Sequence, residues 1–504
     1  MFLSQQTLDK VNKDLLDLPN GSVFELPEKV LQFGTGVLLR GLPDYFIDKA
    51  NRQGVFNGRV VVVKSTSTGS AEAFDQQDCL YTTCIRGIES GDIKEEYLIN
   101  SSISRVLSAQ SDWYDILKCA HDPEMRIIIS NTTELGIELV SELINQTPPA
   151  SFPGKLLAFL YERYKAFKGT ISSGMVIVPT ELIPDNGKRL EAIVLELAHL
   201  NGLEPSFIDW IEECNVFCNS LVDRIVPGKP AKAEKEKIET QLGYEDDLMI
   251  VAEPYALWAI EGNEHVRKVL AFVEADQRVV ICNDIDKFRE LKLRLLNGTH
   301  TMTCGLAYLS GCVTVSDAMQ NEQLAAFIKG VMQHEIGPSI PYPVETEAVQ
   351  DFSNKLIDRF SNSFIKHNWI SITAQYSSKI KQRIVPLLVQ HYKKSTDAPE
   401  LMTLGVAAFL LFMKPVRKTD NAFYGNHNGE EYLINDVHAR RFYDSWKLQS
   451  VTKTVEKILA DNDFWETDLN QLPGFTAAVS AKLEELITHG PVKTLENTSL
   501  MKMA

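Results

Sequence analysis

Six short apolar runs rich in β-branched residues punctuate the first half of the chain. They are 29–33 (KVLQF), 59–63 (RVVVV), 126–130 (RIIIS), 175–179 (MVIVP), 248–251 (LMIV) and 278–282 (RVVIC). Each is apolar at consecutive positions, which fits a strand covered on both faces. Most are followed by Gly, Ser, Thr or Asn. Between many of them lie stretches with apolar residues at helical spacing. One is 39–50; another is 113–120, where Trp113, Ile116, Leu117 and Ala120 share a face. Buried strands separated by helices predict a parallel sheet with helices packed over it.

Beyond about residue 283 the pattern changes. Helical spacing dominates 286–297, 303–309, 349–360, 379–392, 401–412, 437–461 and 473–488, and little strand signal remains. The fold class read from this is α/β: a Rossmann-like parallel-sheet domain over 1–285 and a mainly α-helical domain over 286–504. The boundary falls within 245–287.

Composition narrows the possible functions. Lys and Arg number 51 against 67 Asp and Glu, a formal net charge of −16. Such a chain lacks the clustered cations that nucleic acids or anionic membranes select. The longest uncharged apolar stretch, 401–413, is about 13 residues, short of the roughly 20 a membrane span needs. The opening MFLSQQTLDKVNKDLL has early acidic residues and no apolar run leading to a cleavage site. No signal peptide is expected, and a cytoplasmic location follows. The eight cysteines contain no CxxC pair, and the closest spacings, Cys79/Cys84 and Cys214/Cys218, have no histidine at zinc-finger distance. Reduced thiols are expected, and no metal site.

The first run leads into Gly34-Thr35-Gly36 and then Val37-Leu38-Leu39-Arg40-Gly41. Glycine after a first strand lets backbone approach a pyrophosphate, with the next helix supplying N–H donors. The third glycine of the usual dinucleotide motif is replaced by Leu39, so a plain strand-to-helix turn fits too. The second run ends in Lys64-Ser65-Thr66 with no carboxylate for the ribose, and Lys64 is compatible with a 2′-phosphate. Asn131-Thr132-Thr133-Glu134 and Pro179-Thr180-Glu181-Leu182 follow two other runs, where parallel sheets bind ligands. Asn131 and Thr133 serve equally well as caps of a following helix.

The segment Lys292-Leu293-Arg294-Leu295-Leu296-Asn297-Gly298-Thr299-His300 carries the clearest chemistry. On a regular helix Asn297 falls about 140° from Lys292 and His300 about 80°, so the three share one broad side over roughly 12 Å. Leu293 and Leu296 suit a helix packed into the protein, which predicts a partly desolvated Lys292. Burial lowers a lysine's pKa and suits it to proton transfer near neutrality. A surface lysine, an Asn-Gly cap and a core histidine fit the same spacing.

Taken in order, these segments resemble the mannitol dehydrogenase family of long-chain, polyol-specific dehydrogenases. QFGTGVLLRG, with Arg40, resembles the family's opening Gly-x-Gly segment, and SNTTELG its Thr-Glu-Gly segment. FCNSLVDRIVP resembles its Val-Asp-Arg-Ile signature, and EPYALWAIEG its Glu-Pro-aromatic segment. The spacing of Lys292, Asn297 and His300 resembles its catalytic pattern. The resemblance implies a metal-independent, nicotinamide-linked interconversion of a secondary alcohol and a ketone. In it Lys292 is the general acid/base, Asn297 stabilises the reacting oxygen and His300 orients substrate. Phe33, Gly34, Thr35, Gly36, Arg40, Lys64, Asn131, Thr133 and Glu134 are the implied cofactor residues. NAD is the implied cofactor, with NADP left open by Lys64.

Two departures bear on substrate. Mannitol enzymes carry a second asparagine after an aspartate at one strand end, where this chain has Glu181-Leu182. They also carry an arginine eight residues before a substrate-binding lysine; Lys379 matches the lysine, and Ser371 stands at the earlier position. Both fit the family's hexuronate branch. A uronate carboxylate needs a cation, and Lys366, His367, Lys379, Lys381 and Arg383 form a basic neighbourhood. Lys379 is the residue the resemblance selects, with Lys366 and His367 as further candidates. The implied reaction is reversible reduction of D-tagaturonate to D-altronate in hexuronate catabolism. Fructuronate reduction and mannitol-type polyol oxidation are the alternatives, and a non-catalytic sugar-acid sensor is the rival of another class. The partner expected is a small molecule, and oligomeric state has no marker in the sequence.

Overall fold

The computed structural model describes residues 1–65, 71–132, 136–420 and 422–498. The chain divides into two compact units: Met1–Arg86 with Ile93–Ile285, and Gly87–Asp92 with Asp286–Ala504.

The first unit is built on a six-stranded sheet. Its strands are β1 (Glu28–Phe33), β2 (Arg59–Lys64), β3 (Ile103–Ser108), β4 (Ile127–Ser130), β5 (Val176–Pro179) and β6 (Val216–Phe217). All neighbours are parallel, in the order β3-β2-β1-β4-β5-β6. Strand order reverses between β1 and β4, which opens a crevice at their carboxyl ends. The doubly apolar runs are explained by two cores. Val30, Val60, Val62, Ile127 and Ile129 point into one; Leu31, Phe33, Val61, Val63 and Ile128 point into the other. Helix α3 (Phe152–Phe167) and helix α4 (Asn186–Leu200) cover the second face.

The last two runs form strands but not in this sheet. Ile250–Ala252 joins Leu16–Asp17, Asp92–Asn100 and Tyr81–Glu89 in a four-stranded sheet, and Val279–Cys282 joins Ser220–Asp223 and Leu257–Glu261 in a three-stranded one. A fully apolar run reports burial on two faces without naming its neighbour. The 39–50 helix also divides, into α1 (Val37–Gly41) and α2 (Pro43–Arg52) with Leu42 at φ −132°, ψ −77° between them. Pro43 has no N–H to continue the ladder.

In the second unit, residues 286–309 are helical in three pieces. Asp286–Leu291 is α-helical, Lys292–Leu296 is π-helical, and helix α5 (Asn297–Leu309) follows. Every α5 residue from Gly298 to Ala307 is buried. Helix α6 (Thr346–Ser361) and helix α7 (Glu400–Phe412) complete its surroundings. Glycines let α5 and α7 cross closely. A Cβ on Gly305 would lie 3.2 Å from the Ala408 carbonyl oxygen, and one on Gly405 would lie 2.9 Å from that of Met302. Among the described residues, no helix is long and apolar enough to cross a membrane. Within this mainly helical unit the 417–433 segment forms a small antiparallel sheet of Arg417–Lys418, Phe423–His427 and Glu430–Leu433, which the sequence did not signal. All eight cysteines are free thiols.

Candidate active site

In the first unit, β1 delivers the chain to the crevice through two glycines with different physical reasons. Gly34 adopts φ +128°, and a Cβ there would lie 2.9 Å from Leu39 Cδ1 and 3.0 Å from the Asn131 carbonyl oxygen. Backbone and packing both demand glycine. Gly36 caps α1 at φ −63°, and a Cβ there would meet nothing within 4 Å. Nothing in the chain itself requires glycine at this position. Its bare backbone at a helix start suits the close approach of a phosphate, so these residues fit a dinucleotide.

Across the crevice, the Asn131 amide N–H donates to the Phe33 carbonyl at 3.2 Å, and Asn131 Nδ2 donates to Thr180 Oγ1 at 3.0 Å. Glu181 organises this side. Its buried carboxylate accepts from Ser130 Oγ (3.1 Å), the Thr132 N–H (2.8 Å) and Thr132 Oγ1 (3.0 Å). From the sequence Glu181 stood out as a polar residue at a strand end and as a departure from the mannitol pattern, and this bracing did not show. A carboxylate directly after a buried strand, near Ser-Asn-Thr on its neighbour, was the available signal. Leu182, where mannitol enzymes offer an amide, is 59% exposed. Thr133 and Glu134 lie outside the described residues.

The remaining cofactor candidates differ in what they present to the turn. The Phe33 ring is buried 5.1 Å from that of Phe152, so only its backbone faces the turn. Lys64 is buried at the end of β2, and Thr35 is half-buried. Arg40 departs most clearly from its expected place at the phosphates. Its Nη1 donates to the Leu248 carbonyl at 2.5 Å, and its guanidinium lies over the Tyr81 ring. It lies on the α1 face that packs against Ile250–Ala252, which turns it into the core. Burial accordingly lowers its pKa. Two more of the family-like segments prove to be framework. Arg224 Nη1 donates to the Gly41 carbonyl (2.7 Å), closing α1, and Arg224 Nε donates to the Glu253 carbonyl (2.9 Å). The Glu253 carboxylate accepts from the Ile225 N–H at 2.7 Å.

In the second unit the π-turn changes the geometry read from the sequence. The Asn297 N–H bonds the Leu293 carbonyl and, five residues back, that of Lys292. The widened turn sets Lys292 and Asn297 closer to one side than a regular α-helix would. Both are half-buried. His300, one turn along, is 8% exposed. Its ring stacks on Phe360 (4.4 Å between centroids, 20°) and meets His367 edge-on at 5.1 Å. Its Nε2 has no hydrogen-bond partner. Burial, then the charges of His367, Arg359, Arg383 and Lys379, hold His300 well below the ordinary imidazole range. The ring is therefore neutral and presents an unpartnered nitrogen.

Of the carboxylate candidates, His367 and Lys379 come to this place and Lys366 is exposed on a loop. Lys379 is half-buried and donates from Nζ to the Ile372 carbonyl at 2.7 Å. Burial, with Arg383 close by, lowers its pKa. Arg359 from α6 joins the group and was not singled out in the sequence. A half-buried lysine, an aligned amide and a neutral imidazole can polarise and protonate one oxygen while holding its neighbours. The cations around them suit an anionic substituent.

Comparison with known proteins agrees with this geometry. Residues 28–273 match the mannitol dehydrogenase Rossmann domain, and residues 284–487 match the mannitol dehydrogenase C-terminal domain. The chain belongs to the mannitol dehydrogenase family: it is an oxidoreductase of secondary alcohols that uses a nicotinamide cofactor. It is 36% identical over 493 residues to the altronate oxidoreductase of Bacillus subtilis, covering 97% of this chain and 98% of that one. The altronate oxidoreductase of Halalkalibacterium halodurans is 37% identical over 475 residues, covering 92% of each. Two solved structures share the fold. Mannitol 2-dehydrogenase of Pseudomonas fluorescens, in ternary complex with NAD and D-mannitol, aligns with a TM-score of 0.68 at 23% identity over 100% of both chains. A D-sorbitol dehydrogenase in substrate-free form aligns with a TM-score of 0.80 at 21% identity, over 98% of this chain and 100% of that one.

Proposed function

We propose that this chain reduces D-tagaturonate to D-altronate with NADH, reversibly, in hexuronate catabolism. The observation that carries the reading is one helical run presenting Lys292, Asn297 and a neutral His300 beside Lys379 and two arginines. The altronate oxidoreductases that match nearly the whole chain support the same substrate.

In the direction of reduction, the Lys292 ammonium gives its proton to the ketone oxygen. The Asn297 amide donates a hydrogen bond to that oxygen and stabilises the charge developing on it. His300 holds a neighbouring hydroxyl through Nε2, and in oxidation Lys292 takes the proton back. When bound, the nicotinamide supplies or accepts the hydride. Gly34, Thr35 and Gly36 hold the pyrophosphate at the start of α1, with Asn131 and Thr132 on the opposite side of the crevice. Lys64 is 8% exposed and engaged within the protein, so it presents no free cation to a 2′-phosphate. That supports NADH over NADPH. Leu182 gives the oxygen no second amide, which argues against mannitol. In this reading the cofactor domain covers 1–285 and the substrate domain 286–504.

The test follows loss of NADH, and separately NADPH, with D-tagaturonate, D-fructuronate and D-fructose. Fast oxidation of NADH with D-tagaturonate is the expected result. A preference for D-fructuronate or D-fructose would keep the family and discard this substrate.

A further inference from the structure

Two arginines, one in each of the π-turns Lys292–Leu296 and Ile380–Ile384, reach in opposite directions, Arg294 to the other turn and Arg383 to the start of α5, and their charges are treated differently. Arg294 donates from Nη1 to the Gln382 and Arg383 carbonyls (2.8 and 3.0 Å). Its charge is balanced by Glu290, which accepts from Nε at 3.0 Å. Arg383 reaches the other way. Its Nη1 donates to Thr301 Oγ1 at 3.1 Å and, more distantly, to the Asn297 carbonyl at 3.4 Å. Among the described residues no carboxylate pairs with Arg383, and its Nε and Nη2 bond nothing.

A half-buried guanidinium without a counter-ion is unfavourable unless a ligand supplies the anion. Lys379, four residues earlier, likewise lacks an ion pair and bonds only the Ile372 carbonyl. His367 suits this part less well, because burial and the nearby cations lower its pKa and disfavour its charged form. Arg383 is also tied directly to α5 at Asn297, three residues before His300, and at Thr301, the residue after it. An anion bound on its free edge is thereby held at a set distance from the reacting oxygen.

We infer that Arg383 is the specificity-determining residue for the substrate carboxylate, its Nε–Nη2 edge taking both oxygens while Nη1 stays anchored on α5. Arginine suits this because its planar fork matches a carboxylate, which a lysine ammonium cannot do. The inference rests on the hexuronate reading above. It gives Lys379 a supporting charge and Arg383 the discrimination.

The experiment compares D-tagaturonate with D-tagatose, the same ketose bearing a hydroxymethyl in place of the carboxylate, in wild type, Arg383→Ala and Arg383→Lys. The ratio of the two kcat/KM values is the readout, with NADH binding and the thermal midpoint as checks on folding. In Arg383→Ala the ratio falls by on the order of 100-fold, chiefly through KM, the range of a lost charged bidentate contact. Added guanidinium restores part of it. Arg383→Lys is intermediate, and it gives the answer if the alanine variant does not fold. Equal losses on both substrates, leaving the ratio unchanged, would overturn the inference while the hexuronate reading stands. A wild type that does not prefer D-tagaturonate over D-tagatose would remove that reading and the inference with it.

Discussion

His300 carries a proton-linked signature that can be measured away from catalysis. Its folded-state pKa lies well below the ordinary 6.5, chiefly through burial against Phe360 and secondarily through the cations around it. Below about pH 6.5 the unfolded chain takes up a proton that the folded ring refuses. The contribution of His300 to stability is therefore complete above that value and is lost as pH falls toward the folded value. The slope approaches about 1.4 kcal/mol per pH unit. Denaturant unfolding at a series of pH values should show this slope in wild type, and His300→Gln should flatten it. An equal slope in both proteins would mean that the ring is protonated in the folded state.

At the scale of elements, the glycine turn after β1 separates a structural requirement from a functional one. Gly34→Ala places a side chain at φ +128° against Leu39 and Asn131. It should cost about 1–3 kcal/mol of stability, read as a lower thermal midpoint. Gly36→Ala meets open space, so stability should change by less than about 0.5 kcal/mol. NADH affinity should nevertheless fall roughly tenfold or more, since each 1.4 kcal/mol of lost contact is tenfold. The four strands β1, β2, β4 and β5 were legible in the sequence because β-branched runs covered on both faces admit few other readings, whereas the edge strands β3 and β6 were not. The 81–100 hairpin was not, since Tyr81–Glu89 and Asp92–Asn100 mix polar and apolar residues with no clean period. The site was legible as a set of residues and not as a geometry. Lys292, Asn297 and His300 were singled out by spacing and by the family resemblance, but no residue pattern announces a π-turn, and the relative placing of Lys292 and Asn297 depends on it. Arg383 stood out only as one of a basic neighbourhood and Arg359 not at all, because a basic residue on a helix looks the same whether or not a carboxylate neutralises it. Arg40 misled for the opposite reason. An arginine beside a glycine turn suggests phosphate, and only the packing of α1 on Ile250–Ala252 shows that it points inward.

Across the whole molecule, the two units divide the chemistry between them. The parallel sheet supplies a crevice whose bare glycine backbone suits a dinucleotide. In the proposed reaction the helical unit supplies the proton donor, the oxygen-binding amide and the cations. In a chain of net charge −16 these cations gather around His300, and in the proposed reaction they select a sugar acid over a neutral polyol. The account stands or falls on Lys292 as the acid/base of that second unit. The most direct measurement is turnover of D-tagaturonate by Lys292→Ala, with NADH binding followed by fluorescence in the same preparation. Turnover should fall by about 100-fold to 10,000-fold, the usual worth of a positioned acid/base, while NADH binds as in wild type. Normal turnover in that variant would contradict the account, because the proton would then be coming from another group.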